Sequence, residues 1–168
     1  MLIGVVSDTH DNVPAAERIA DRFNTAGVEV VIHCGDVIAP PVLPTFEGFE
    51  VHGVLGNNDG EVLGLEAGFE ALGEDSSLHG RFADLTFDET HIAVLHGESL
   101  DEVEGLAAGS RYDYVLYGHH HVHERRTVGD TVVLNPGAHF PTVPAEHRRV
   151  AVIDTRGEDR FLDVPGDL

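Results

Sequence analysis

The chain of 168 residues is long enough for a hydrophobic core, and we predict a single domain over residues 1–168. No segment has the uninterrupted apolar length of a membrane span, and residues 1–6 lack the basic flank of a signal peptide. We therefore expect a soluble, cytoplasmic protein without a membrane partner. The single cysteine, Cys34, excludes an intramolecular disulfide framework and a cysteine-rich zinc module.

The charge is strongly unbalanced, since 30 acidic residues face 10 basic ones, all arginine, and leave a net charge of −20 at pH 7. Near 1 M salt the Debye length falls to roughly 3 Å, which screens repulsion between such charges. The composition therefore favours a halophilic protein from a salt-rich cytoplasm, with a cationic partner as the alternative explanation. Beyond Arg125-Arg126 and Arg148-Arg149 there is no basic cluster, so we expect no nucleic acid to bind through a basic face.

The first half of the chain alternates strand-like and helical segments. Residues 2–6 are typical of a buried strand, and Pro14 suits the first position of a helix that ends before Gly27. The later segments are strands at 28–33 and 51–55, a short helix at most after Pro40, and a weakly helical or irregular stretch at 61–72. This alternation indicates an α/β fold.

The second half is richer in strands. Three hairpins are predicted, at 81–87 with 91–95, at 125–128 with 131–134, and at 150–154 with 160–164. A helix at 100–108 is expected to end at Gly109, and residues 114–117 are typical of another buried strand. The sequence therefore predicts an α/β protein whose second half is mainly β-structure.

Five short polar motifs follow these predicted strands and carry only oxygen and nitrogen ligands. They are Ser7–His10, Gly35-Asp36, Gly56–Asp59, Leu95–Gly97 and Gly118–His121. Each alone could be an ordinary turn, because Asp, Asn and Gly commonly end strands. As an ordered set, they indicate strand ends that converge on a pair of divalent ions.

Residue spacing and type suggest how the ligands are shared. Asp8 and His10 leave one strand end in similar directions, so one turn offers a carboxylate and an imidazole to one ion. Asp36 could use both carboxylate oxygens to bridge two ions roughly 3.5–4 Å apart. The neutral oxygen of Asn57 and the imidazoles of His96, His119 and His121 complete the set.

The mixed nitrogen and oxygen ligands also restrict the metal. Imidazole suits transition ions better than the all-oxygen sites of Mg²⁺ or Ca²⁺. We expect two divalent metal ions, with Mn²⁺ first and Ni²⁺, Fe²⁺, Zn²⁺ or Co²⁺ as alternatives.

These five motifs resemble those of the calcineurin-like metallophosphoesterase family, specifically its small archaeal and bacterial phosphodiesterase branch. They occur in family order, and Asn135–Gly137 matches a further loop. The resemblance implies a four-layer α/β/β/α sandwich of two mixed β-sheets flanked by helices. It also implies a phosphoesterase, most often a phosphodiesterase, in which a hydroxide bridging the ions attacks phosphorus in line. The absence of an inserted cap region indicates an open groove for a small phosphodiester substrate.

The resemblance assigns the ligands of each ion. One ion would be held by Asp8, His10, Asp36 and His121. The other would be held by Asp36, Asn57, His96 and His119. The sequence does not decide whether the protein forms a homo-oligomer.

One motif departs from the family pattern. Many members have Gly-Asn-His followed by an acidic residue, whereas this chain has Asn58 in place of the histidine. Asn58 can donate a hydrogen bond to a phosphoryl oxygen but cannot deliver a proton. A non-catalytic relative, the retromer scaffold subunit, also lacks this histidine, so an interaction scaffold is the competing interpretation. His139, shortly after Asn135–Gly137, is the candidate for a phosphate contact or a proton donor.

Overall fold

The strands occur close to the predicted segments. The structure, a computed structural model, describes residues 1–166. Its strands are β1 (Leu2–Val6), β2 (Val30–His33), β3 (Glu50–Gly53), β4 (Ser77–Leu78), β5 (Phe82–Phe87), β6 (Thr90–Leu95), β7 (Tyr114–Leu116), β8 (Glu124–Val128), β9 (Thr131–Asn135), β10 (Arg149–Asp154) and β11 (Arg160–Asp163). The three predicted hairpins are confirmed as β5–β6, β8–β9 and β10–β11.

The strands form two mixed sheets. Sheet A has the order β11-β10-β1-β2-β3-β4, and sheet B has the order β5-β6-β7-β9-β8. In sheet A, β1, β2, β3 and β4 run parallel, whereas β10 and β11 are antiparallel neighbours at one side. In sheet B, β6, β7 and β9 run parallel between two antiparallel outer strands. The carboxyl ends of the parallel strands are therefore available at one end of each sheet.

Helices cover the outer faces of both sheets. They are α1 (Val13–Ala26), α2 (Val62–Ala71) and α3 (Leu100–Ala108), with 3₁₀ helices at Pro40–Phe46 and Ala145–His147. One buried hydrophobic cluster lies between sheet A and the helices α1, α2 and Pro40–Phe46, and another lies between sheet B and α3. A third cluster joins the inner faces of the two sheets, with Val5, Ile32 and Leu116 among its members. This arrangement confirms the four-layer α/β/β/α sandwich.

The helix ends follow the expected capping chemistry. The side chain of Asn12 accepts a hydrogen bond from the Ala15 N–H at the start of α1, where Pro14 occupies the first turn. Gly27 ends the helix with a φ of 77°, a left-handed conformation that glycine adopts without strain. None of the described helices is long and apolar enough to cross a membrane.

Candidate metal centre

The predicted ligands meet where parallel strands end. Sheet A contributes the residues that follow β1, β2 and β3, and sheet B contributes those that follow β6 and β7. The loops after β1 and β2 are joined by backbone bonds, because the N–H groups of Asp8 and His10 donate to the carbonyls of Gly35 and Asp36 at 3.0 and 3.1 Å. The backbone therefore fixes the distance between these two loops.

Several ligands have left-handed backbone conformations. The φ angles are 53° at Asp8, 44° at His10, 56° at Asp36, 64° at His119 and 57° at His121. Asn, Asp and His adopt positive φ more readily than β-branched residues do, although still at a cost. Each conformation turns the chain sharply just after a strand, which lets short loops direct their side chains into the site.

One ligand group consists of Asp8, His10 and His121. His121 Nε2 lies 3.3 Å and His10 Nε2 lies 3.7 Å from Asp8 Oδ1. That oxygen is buried and has no hydrogen-bond partner among residues 1–166. A buried carboxylate oxygen without a donor is costly unless a cation binds it, so this geometry fits a metal ligand.

A second group consists of Asp8, Asp36 and His96. His96 Nε2 lies 3.4 Å from Asp36 Oδ2 and 4.0 Å from Asp8 Oδ1. The ligand atoms within each of the two groups lie within 4.8 Å of one another. Asp8 is therefore common to both groups, and Asp36, which the sequence analysis assigned to both ions, also faces the first group, since its Oδ2 lies 3.3 Å from His10 Nε2.

His96 is oriented by the opposite sheet. Its Nδ1 lies 2.8 Å from the carbonyl oxygen of Cys34, so Nδ1–H donates to sheet A and Nε2 is left as the ligand atom. Asn57 Oδ1 lies 3.1 Å from the same Nε2, which brings the predicted amide ligand to this group. The His119 ring lies beside that of His96, with 5.1 Å between centroids, but joins neither compact group.

Electrostatics in the site favour charged pairs. Burial opposes ionisation of Asp8 and Asp36, but the imidazoles of the neighbouring histidines, together with donors from Ser7 to Asp8 and from Asn58 to Asp36, hold the pKa of both carboxyls well below its usual range. Burial likewise opposes protonation of His10, yet Asp36 and Asp8 raise its pKa to about 9. The carboxylates thus attract positive charge strongly, and a divalent ion would compete with the protonated histidines for the two carboxylates.

Asn58 and Asp59 support Asp36 from both sides. The Asn58 backbone N–H and side-chain Nδ2–H donate to the two oxygens of Asp36 at 2.9 and 2.7 Å. The Asp59 carboxylate accepts from the N–H groups of Asp36, Gly56 and Ile38 at 2.9, 2.7 and 2.6 Å. The sequence analysis gave Asp59 no role, because its position in a turn motif does not reveal which amides it accepts from.

His139 lies behind the site with its side chain fully buried. Its backbone N–H donates to the Asp8 carbonyl at 3.0 Å, and its own carbonyl accepts from Asn12 Nδ2 at 2.8 Å. Burial lowers the pKa of the ring to about 4, so the imidazole is neutral near pH 7. His139 therefore contacts the Asp8 backbone, and its ring is not exposed to the groove.

Two close approaches explain glycines in the motifs. A Cβ at Gly56 would lie 2.2 Å from Asp36 Oδ1, and one at Gly118 would lie 1.9 Å from Ser7 Oγ. The loops pack too tightly there for any larger residue.

Phe140, which the sequence analysis did not single out, packs against His10 and His121 with centroid distances of 4.4 and 4.7 Å.

The fold and this ligand set agree with a family comparison. The model of the calcineurin-like phosphoesterase superfamily domain matches residues 1–158. The chain belongs to this superfamily. It is therefore an enzyme, a phosphoesterase of the metal-dependent type, and membership of this superfamily implies divalent metal ions.

Similar proteins support membership of the small phosphodiesterase branch of the superfamily. Phosphodiesterase MJ0936 of Methanocaldococcus jannaschii is 34% identical over 139 residues, which cover 82% of this chain and 83% of that protein. Phosphodiesterase YfcE of Escherichia coli K12 is 25% identical over 148 residues, which cover 82% and 79%. The solved structure of an archaeal phosphodiesterase matches with a TM-score of 0.86 and 30% identity, and covers 96% of this chain and 99% of its own. These matches confirm the predicted resemblance.

Proposed function

We propose that the protein is a binuclear phosphodiesterase that hydrolyses small diesters. One ion would be held by Asp8, His10, Asp36 and His121, and the other by Asp36, Asn57, His96 and His119. Mn²⁺ is the expected ion, with Ni²⁺, Fe²⁺, Zn²⁺ or Co²⁺ as alternatives. When bound, such ions activate water as a nucleophile and neutralise charge on the phosphoryl group.

The observation that carries this proposal is the convergence of buried carboxylates and imidazoles. Asp8 and Asp36 face His10, His96 and His121 at 3.3 to 4.0 Å, and Asp8 Oδ1 has no donor within residues 1–166. Oxygen and nitrogen donors of this type suit divalent transition metals. The chain itself therefore brings together ligands for Lewis-acidic ions, before any substrate binds.

The two remaining predicted catalytic residues take supporting roles in this proposal. Asn58 donates its backbone N–H and one side-chain N–H to Asp36 and so orients that carboxylate toward the ions. The side chain is exposed, and its second N–H would donate to a phosphoryl oxygen. His139 acts as a positioning residue, because its backbone N–H holds the carbonyl of Asp8 while its ring is buried.

We further propose a single domain over residues 1–168 that works in the cytoplasm of a salt-rich cell. The spread of acidic residues along the whole chain supports adaptation to salt more than binding of one cationic partner. The same acidity argues against nucleic acid bound through a basic face. A homo-oligomer is compatible with all of these observations.

The competing function is a non-catalytic interaction scaffold with the same fold. Vacuolar protein sorting 29 of Cryptosporidium parvum matches with a TM-score of 0.66 at 16% identity, and the match covers 96% of this chain and 95% of its own. Similarity at that identity establishes the fold alone. The enzyme is favoured because a scaffold has no need to bring His10, His96 and His121 together around two buried carboxylates.

Metal removal and replacement test the proposal. Purified protein should hydrolyse bis-p-nitrophenyl phosphate, lose this activity after exhaustive EDTA treatment, and recover it with Mn²⁺ or another ion of the series. Metal analysis should give two ions per chain, and phosphodiesters should be better substrates than phosphomonoesters. Full activity in protein with no measurable metal would refute the proposal.

A further inference from the structure

A second cavity adjoins the proposed metal centre. It is open to solvent, has a volume of about 300 Å³ and shares one wall with the centre, His121, against which a second wall, Phe140, packs. The Phe140 ring packs edge-on against His121, with 4.7 Å between centroids, and also lies against His10. A phosphoryl group bound at the centre would therefore lie beside this cavity, and one of the substituents on phosphorus would be close enough to enter it.

The remaining walls of the cavity are mainly apolar. Val122, Val143 and Pro144 line it together with the Phe140 ring. Its volume is at the lower end of the range of ligand pockets in proteins, about 300–1,000 Å³. An apolar, ring-sized group therefore fits it better than a charged group or a long chain.

A chain of hydrogen bonds orients one polar wall of the cavity, His147. Arg149 Nη1 lies 3.1 Å from His123 Nε2, and arginine can only donate, so His123 Nε2 is the acceptor. His123 Nδ1 then carries the proton and donates to His147 Nδ1 at 2.9 Å. The His123 backbone N–H donates to the same nitrogen at 3.3 Å.

This chain fixes the tautomer of His147. Since His147 Nδ1 accepts from two donors, Nε2 carries the proton and is the only donor of this ring. Apart from His120, His121 and the exposed Thr142, the cavity is thus lined by apolar side chains and by His147, whose remaining ring nitrogen is a donor.

We propose that this cavity binds the ester group that stays on phosphorus, and that it selects a planar aromatic group with a hydrogen-bond acceptor. The inference rests on the proposed function, because it needs the phosphoryl group to bind at the ions. A ring held between Phe140 and Val143 would fix the orientation of the phosphoryl group relative to the carboxylates. His147 would donate to the acceptor on that ring.

Diesters with one common leaving group isolate this effect. Methyl p-nitrophenyl phosphate, phenyl p-nitrophenyl phosphate and bis-p-nitrophenyl phosphate all release p-nitrophenol, so they differ in the group that is retained. Thr142 lines the cavity and is exposed. Thr142→Trp should fill the cavity and lower kcat/KM at least tenfold for the phenyl ester, while the value for the methyl ester changes less than twofold.

A matched control and a second variant complete the kinetic test. Thr127 is another exposed threonine, located on β8 near the end that is remote from the site. Thr127→Trp should change none of the three substrates. His147→Phe keeps a ring of similar size without the donor, and should lower kcat/KM for bis-p-nitrophenyl phosphate severalfold more than for the phenyl ester.

A binding measurement separates this inference from the proposed function. Phenylphosphonate and methylphosphonate would be titrated into protein loaded with Zn²⁺, which unlike Mn²⁺ is diamagnetic, while the backbone amide signals of Val122 and Thr142 are followed by NMR. Only the phenyl compound should shift both signals, whether or not the protein hydrolyses any diester. Equal shifts from the two phosphonates, or an equal loss of activity on all three diesters in Thr142→Trp, would overturn the inference. Loss of all hydrolysis in the wild-type protein, with the phenyl-specific shifts intact, would refute only the proposed function.

Discussion

The two sheets contribute to the metal centre in different ways. Sheet A supplies both carboxylates, whose side chains are 0% exposed at Asp8 and 1% at Asp36. Sheet B supplies only imidazoles, and the side chain of His121 is 38% exposed. Donors hold the carboxylates from several directions, whereas His121 contacts Asp8 and the Phe140 ring.

This difference separates the fixed part of the site from the adjustable part. The two carboxylates from sheet A are buried and hydrogen-bonded, so their geometry is set when the protein folds. On sheet B, His96 is also buried, whereas the side chain of His121 is partly exposed to solvent. We therefore expect the carboxylates to determine whether metal binds, and the exposed histidines to tune how tightly one of the ions is held.

The largest effect is expected when the two sides are compared by single substitutions. Asp36→Asn removes a charge that faces both His10 and His96, and should lower kcat/KM on the order of 10³-fold, about 4 kcal/mol of transition-state stabilisation. His121→Ala should cost less, on the order of 10-fold to 10²-fold, because the buried carboxylates are untouched. Both variants would be assayed with bis-p-nitrophenyl phosphate at saturating Mn²⁺.

Structural controls make this comparison decisive. Circular dichroism and urea unfolding should show that both variants keep the fold, and metal analysis should show a larger loss in Asp36→Asn. If Asp36→Asn retained near-normal turnover while His121→Ala was inactive, the division of roles between the sheets would be wrong.

A smaller effect is expected from the leaving group and Asn58. Because an amide cannot deliver a proton, the leaving oxygen departs as an anion and the wild-type rate should fall steeply as leaving-group pKa rises. Asn58→Ala removes one donor to Asp36 and should lower kcat by roughly 10-fold without changing that slope. A flat slope in the wild-type protein, with chemistry rate-limiting, would contradict departure of the leaving oxygen as an anion.

The smallest effect on the metal centre is expected from salt, because salt screens charges on the protein surface outside the centre. Exposed acidic residues repel one another in dilute buffer, and the Debye length falls from about 10 Å at 0.1 M to about 3 Å at 1 M. The melting temperature should therefore rise as KCl is increased from millimolar to molar, in metal-free and metal-loaded protein alike. A melting temperature that stayed level or fell would contradict the halophile proposal.

The sequence predicted the regular elements well where local chemistry is strong. The β1 bounds of Leu2–Val6 and the α3 bounds of Leu100–Ala108 match the predicted segments, because an apolar run and a capped helix are visible in a single sequence. The two-residue strand β4 and the 3₁₀ helix Ala145–His147 were not predicted, since such short elements carry no periodic signal.

Contacts between distant segments were harder to predict. Ligand types at strand ends pointed to the site, but the motif alone could not show that Asp59 accepts three N–H groups from two loops. Phe140 resembles a core residue in the sequence, and only the fold places it against His10 and His121. The two ring nitrogens of the buried His33 likewise contact Thr9 Oγ1 and the Gly35 N–H, at 3.1 and 3.2 Å, and so link the loops after β1 and β2.

The backbone bonds between the loops after β1 and β2 have a thermodynamic consequence. The Asp8–Gly35 and His10–Asp36 bonds are part of the fold and involve no side-chain ligand atom. Metal binding therefore has little chain entropy to remove, and most of its free energy can appear as affinity. In small zinc modules, by contrast, the metal supplies the folding energy itself. We therefore expect that ions can exchange without unfolding of the protein, so that the supply within the cell would determine which metal is bound.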